Sequence, residues 1–173
     1  MEYLRVSREG RPFEPTDLSR TLRSVLAGLD DTIRERGAVV TCDPLPAVTA
    51  DPEQMAQLFQ NLIGNAIQFC DERFPLVHVG VERRGRLHVF FVRDNGIGID
   101  PEYFHRLFLI FQGPERGAGQ PDPGIGLAVC KSIVDRHAGR LWLESAPGKG
   151  STFYFTIPVR GLAARDRADP SRS

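Results

Sequence analysis

Three short stretches of this chain carry the residue types that a phosphorylated ligand needs. Asn61 and Asn65 stand four residues apart. An asparagine side-chain carbonyl is a hard oxygen, suited to Mg²⁺ that keeps waters and phosphate oxygens around it. Asp94 opens the run Asp94-Asn95-Gly96-Ile97-Gly98. A carboxylate fixed at a strand exit can accept a hydrogen bond from an exocyclic amine, and the glycines let backbone approach closely. Gly124, Ile125, Gly126 and Leu127 open a helical stretch, where free N–H groups and the helix dipole favour an anion. Each stretch alone has a plainer reading: a solvated helix face, a strand-exit turn, a loop–helix junction. In this order, about thirty residues apart, they describe one pocket for a purine nucleotide.

The elements that must position them follow from periodicity. Asp51 is placed to cap a helix, with Pro52 at its first position and Gln54 completing a capping box; the helix runs to about Phe69. Met55, Leu58, Phe59, Leu62, Ile63 and Ala66 form its apolar face, and Gln57, Asn61, Asn65 and Gln68 fall on one narrow stripe opposite. A solvent face normally carries Lys and Glu, and asparagine weakens a helix interior unless it contacts something. The amide stripe therefore points to a ligand. Strands over Leu76–Glu82 and Leu87–Arg93 form a hairpin through Arg84-Gly85 and deliver Asp94 at the exit. A helix from Gly124 to His137 and closing strands at Arg140–Glu144 and Thr152–Pro158 complete the second half.

Upstream, Thr16 or Asp17 caps a helix predicted to run unbroken to about Arg36, where Gly37 stops it before a strand at Ala38–Thr41. The prolines of Asp43–Val48 make that segment extended. Pro101–Phe111 reads as helical, with Phe108 and Phe111 as apolar anchors, and residues 112–123 as a mobile loop. The expected fold class is α/β: a mostly antiparallel sheet covered on one face by helices. Residues 1–14 read as a leader that ends a preceding element, 15–158 as one domain, and 159–173 as a disordered tail.

Composition sets the outer bounds. Apolar residues make up 41% and charged residues 25% of the 173, the profile of a soluble globular protein. Lys plus Arg balances Asp plus Glu at 22 each, so net charge suggests neither nucleic acid nor a membrane surface. Cys42, Cys70 and Cys130 lack a CxxC pair and read as three buried thiols in a reducing, cytoplasmic setting. The first ten residues are polar and no apolar run approaches a membrane span.

On these motifs the chain resembles the ATP-binding catalytic domain of bacterial sensor histidine kinases, whose superfamily includes type II topoisomerases and heat-shock chaperones. Asn61-Leu-Ile-Gly-Asn65 is similar to the N box, Asp94–Gly98 to the G1 box, Phe108–Phe111 to the F box and Gly124–Leu127 to the G2 box. Gly148–Pro158 resembles the last hairpin of the family. Glu2–Val6 and Phe111-Gln112 are similar to kinases attached to phytochrome-type photosensors.

The resemblance implies a two-layer sandwich of Bergerat type, with the loop before Gly124 as an ATP lid. It assigns Mg²⁺ to Asn65, the phosphates or their waters to Asn61, and adenine to Asp94, with Gly96 and Gly98 shaping its turn. Gly124 and Gly126, with Ile125 and Leu127, would line the phosphates. It further implies transfer of the ATP γ-phosphate to a histidine on a separate dimerisation and phosphoacceptor domain, with a response regulator downstream. In hydrolysing relatives a glutamate stands four residues before the metal-binding asparagine; here that position is Asn61, which cannot act as a general base.

Three positions depart from the family pattern. Gln68 stands where a phosphate-reaching lysine is usual, and Asp122-Pro123 where Gly-Thr is usual. Losing one charge-assisted hydrogen bond costs on the order of 1.5–3 kcal/mol. Arg116 is the lid's one cation and the candidate replacement. His78, His88, His105 and His137 lack the phosphoacceptor context, so the substrate histidine is expected on another domain and the isolated domain is expected to be monomeric. The alternative function is a nucleotide-sensing or interaction module with a weakened phosphate side. A serine kinase of the anti-sigma-factor type shares the fold and fits the sequence less well.

Overall fold

The computed structural model describes residues 10–70, 74–100, 102 and 123–158. Among the described residues two sheets and four helices make two layers. Strands β1 (Glu14–Asp17) and β3 (Ala47–Ala50) pair antiparallel as a two-stranded ribbon. The main sheet has the order β2 (Val39–Cys42), β4 (Leu76–Arg84), β5 (Leu87–Asp94), β7 (Ser151–Pro158) and β6 (Leu141–Ser145). Only the β2–β4 pair is parallel; the other three are antiparallel. Helices α1 (Leu18–Gly28), α2 (Asp30–Arg36), α3 (Pro52–Gln68) and α4 (Pro123–Arg136) supply the second layer. The expected α/β sandwich, with a mostly antiparallel sheet and helices on one face, is the observed architecture.

Helix α3 forms where its signals stand. Asp51 Oδ1 accepts from Gln54 N at 3.1 Å, with Pro52 in the first turn. All six residues of the predicted apolar face are buried. Phe59 meets Phe155 edge-on at 5.7 Å, and Phe155 stacks on Phe90 at 5.0 Å, so α3 is keyed to the centre of the sheet. On the outer face Trp142 stacks on Tyr154 at 5.1 Å.

Three expectations need correction. The first helix is not continuous to Arg36. It ends at Gly28, a poor helix former, and Leu29 (φ −98°, ψ 7°) turns the chain into a second helix whose first turn holds Asp30 and Asp31. Acidic residues favour such an N-terminus. Cys42 is exposed at the end of edge strand β2, whereas Cys70 and Cys130 are buried; all three are free. The amide stripe of α3 is not a uniform face either, since Gln57, Asn61 and Asn65 are half-buried and Gln68 is exposed. Apart from Glu102, and from Pro123, which opens α4, the helix expected at Pro101–Phe111, the lid and the tail lie outside the described residues. Among the described residues no helix is long and apolar enough to cross a membrane.

Candidate nucleotide site

The end of β5 and the second half of α3 face each other across a cleft. Asn65, Ala66 and Phe69 line it from α3; Asp94, Ile97, Gly98 and Ile99 from the turn after β5; Leu127 from α4; and Ser151 and Phe153 from β7. The lining is apolar apart from Asn65, Asp94 and Ser151, the mix expected of a small-molecule site.

Asp94 is held by one oxygen. Its Oδ1 accepts from Gly96 N at 2.8 Å and Ser151 N at 3.1 Å. Oδ2 has no partner among the described residues and is not sealed from the cleft. Burial raises the carboxyl pKa, and the two backbone N–H bonds oppose that rise. The result is an oriented acceptor in a poorly solvated place.

The turn that carries it interlocks with the β6–β7 hairpin. Gly98 has φ +78°, and a Cβ there would run into the Ala146 carbonyl. Gly150 has φ +76°, and a Cβ there would run into the Asp94 carbonyl. Only glycine fits either position. Gly148 N donates to Ile97 O at 2.7 Å and Ile97 N to Phe69 O at 3.1 Å, tying the turn to both the hairpin and α3. Asn95 braces it from below: Oδ1 accepts from Leu76 N at 2.8 Å, and Nδ2 donates to Phe74 O at 3.0 Å.

Asn65 presents an amide to the cleft with its Nδ2 buried and without a partner among the described residues. An orphaned amide costs about 1–3 kcal/mol unless a bound group completes it. Its oxygen is the donor type that Mg²⁺ takes when phosphates and waters fill the remaining positions. No cluster of three His, Cys, Asp or Glu able to hold a metal exists among the described residues.

The other predicted residues are distributed as follows. Gly96 lies in the Asp94 turn, where a Cβ would press on the Phe69 carbonyl at 2.7 Å. Asn61 is not among the residues lining the cleft; its side chain hydrogen-bonds the buried Cys130 thiol of α4. Burial pushes that thiol up to about 12, with the Asn61 bond opposing. The exposed Gln68 side chain also stands outside the lining. Gly124, Ile125 and Gly126 fall in the first turn of α4; Arg116 and Asp122 lie outside the described residues. Sequence reasoning missed Phe69, Ile99, Ser151 and Phe153, and read Ala66 only as part of the apolar face of α3. The hairpin Gly148–Pro158 gave the available signal for Ser151, but its pairing with Asp94 spans 57 residues.

A helix-backed sheet with an acidic acceptor and an open amide facing one cleft is a nucleotide-binding domain in form. The chain belongs to the histidine kinase-, DNA gyrase B-, and HSP90-like ATPase family, whose model matches residues 50–161. Cyanobacterial phytochrome A of a Nostoc species is 47% identical over 161 residues, covering 93% of this chain and 21% of that protein. The chain thus spans about a fifth of the length of that relative. The solved catalytic domain of histidine kinase ThkA superposes with a TM-score of 0.74 at 25% identity, covering 86% of this chain and 97% of that one. Full-length ShkA, solved in complex with AMPPNP, gives 0.75 at 25% identity over 91% of this chain and 34% of its own. The resemblance read from the motifs is therefore the family observed.

Proposed function

We propose that this chain binds Mg-ATP and delivers the γ-phosphoryl group to a histidine on a separate dimerisation and phosphoacceptor domain, which then passes it to a response regulator. The observation that carries the reading is the pairing of Asp94, fixed through Oδ1 with Oδ2 open, with the orphaned amide of Asn65 in the same cleft. Asp94 accepts the adenine amine, and the apolar walls enclose the base. Asn65 would hold the Mg²⁺ that neutralises phosphate charge when bound. The first-turn N–H groups of α4 face the phosphates as a helix N-terminus does. In the transfer, the bond from the γ-phosphorus to the bridging oxygen breaks, a bond to an imidazole nitrogen forms, and ADP leaves. This chain's part is to position and to exclude water. Asn61, bonded to a thiol, supplies no base to activate that water.

One observation favours a second reading, a nucleotide-sensing module with a weakened phosphate side. Gln68 is neutral and exposed, so the position usually occupied by a phosphate-reaching lysine contributes no charge. Calorimetric titration with a non-hydrolysable ATP analogue and with ADP, each with and without Mg²⁺, separates the two. Metal-dependent binding of the analogue in excess of ADP supports transfer. Equal binding, indifferent to Mg²⁺, supports sensing.

A further inference from the structure

We infer that the outer face of the main sheet is a contact surface for a second copy of this chain, packed sheet to sheet about a two-fold axis that runs along the strands between β5 and β7. Side chains alternate between the two faces along a strand. Phe90, Val92, Phe153 and Phe155 turn inward and are buried in the core shared with the helices. Their neighbours turn outward. There the register lines up Gly80, Phe91, Tyr154 and Trp142 in one row across β4, β5, β7 and β6. The Phe91 ring leans over Gly80, where a Cβ would run into it. Ring centroids of Phe91 and Tyr154 are 6.2 Å apart, and those of Tyr154 and Trp142 5.1 Å. All three rings are half-buried, and among the described residues the helices pack on the opposite face.

Cross-strand aromatic pairs steady a sheet by themselves. The surroundings of this row are those of an interface, where rings and arginine are enriched and lysine is depleted. Arg93 sits over Phe91 at 4.9 Å and Arg140 over Trp142 at 5.4 Å, and none of the four strands contains a lysine. The charges identify the occupant. Glu82 on β4 and Arg140 beside β6 are level with each other through Val89 and Thr156, and both are exposed. The two-fold axis exchanges these two sides of the face. It sets Glu82 against Arg140 of the second copy, twice per dimer, and lays Phe91 against the rings of Tyr154 and Trp142. Glu144 then falls opposite His78 and Arg93 opposite Thr152, so no like charges meet. A face whose basic side mirrors its acidic side is complementary to itself. Glu82 already pairs with Arg84 on its own strand, but an exposed pair of this kind is worth little.

The area sets the strength. With eight residues in β5, the four strands present roughly 20 Å by 26 Å, about 500 Å² per copy. A standard interface buries about 800 Å² per partner. The expected dimer is therefore weak and reversible, with a Kd of about 10–300 µM. The nucleotide cleft lies on the helix side of the sheet, so the contact leaves it clear, and the inference does not depend on what the cleft binds.

The test follows the full 173-residue chain by sedimentation equilibrium over roughly 5–500 µM, a range that brackets a small interface. Trp142 is the chain's one tryptophan, so its emission should shift to the blue over the same range as the ring is covered. Glu82→Arg and Arg140→Glu should each weaken the dimer about tenfold or more, because each sets two like-charge pairs in the contact. An equimolar mixture of the two variants should recover an affinity within about threefold of the parent, since the mixed dimer restores both pairs with their signs reversed. A parent that stays monomeric, with steady Trp142 emission, overturns the second copy as the occupant. A dimer that neither reversal weakens lies on another surface and overturns the choice of face. A dimer weakened by both reversals and not recovered in the mixture overturns the two-fold arrangement. Should either variant fail to fold, the parent decides: dimerisation without a shift in Trp142 emission overturns the proposal.

Discussion

Helices α3 and α4 bury polar groups at both ends of their contact, and the two ends treat them differently. At one end the N-terminus of α3 meets the C-terminus of α4. Arg136 Nη1 donates to Asp51 Oδ2 and Gln54 Oε1, each at 2.9 Å, and Nη2 to Arg11 O at 2.7 Å. His137, fully buried, gives its Nδ1 hydrogen to Ile133 O at 2.7 Å and accepts from Asp51 N through Nε2 at 3.1 Å. Phe13 stacks on the His137 ring at 4.4 Å. Among the described residues, no buried side-chain polar atom of this network lacks a partner. At the other end, Asn65 Nδ2 has none and Asp94 keeps one oxygen open. The one other orphaned buried atom among the described residues, His88 Nδ1, lies at the far end of β5 from Asp94. Burial of polar groups is common to both ends. Completion marks the structural end, and incompletion marks the end that waits for a ligand.

The comparison breaks if substitutions at the two ends have the same effect. The largest change is expected from Asp51→Ala, which strands Arg136 and costs about 3–5 kcal/mol of stability in urea denaturation. The folded variant should hold nucleotide within about twofold of the parent, as expected for separated sites. Asp94→Asn should do the reverse. Calorimetry should show about 100-fold weaker ATP binding, from a lost charge-assisted acceptor. Its stability effect has a definite sign. Burial raises the folded pKa of Asp94, so the group's stabilising contribution is full below its unfolded pKa of about 4 and is lost as pH rises through the folded value. The variant should therefore exceed the parent in stability at neutral pH and lose that advantage below about pH 4. Denaturation at both pH values checks it. Asn65→Ala should weaken Mg-ATP binding about 10- to 30-fold and abolish its metal dependence, with little change in stability. The smallest effect concerns the seam between the ends. Alkylation of the native protein should label Cys42 and spare Cys70 and Cys130, the latter thiol being held near 12.

Much of the frame was legible because local chemistry specified it. The cap at Asp51, the hairpin around Gly85 and the apolar stripe of α3 each depend on neighbours within a few residues. The Asp94 turn was legible for the same reason. The ribbon β1–β3 was not, since each strand has four residues, one contains Pro15, and the partners are separated by 30 residues or more. The break at Leu29 was hidden by unbroken apolar periodicity on either side. In and behind the site, the long-range pairs are Asp94 with Ser151, Ser145 with Ile99, and Asn61 with Cys130, of which Asn61, Cys130 and Ser145 stand outside the cleft lining. Each joins segments whose adjacency only the tertiary fold creates. Sequence patterns carry residue types forward; they do not carry the partner.

The interlock of the Asp94 turn with the β6–β7 hairpin has a consequence for how the chain reaches its native state. The β4–β5 pair closes over a short turn, but β5 meets β7 only after a loop that contains α4 has been gathered in. Local pairings cost little loop entropy and long-range ones cost more. The cleft, built on Asp94 and Ser151, is therefore complete only when the last strand docks. A nucleotide that needs the finished cleft stabilises the native state and not the preceding barrier, so it should slow unfolding and leave the folding rate unchanged.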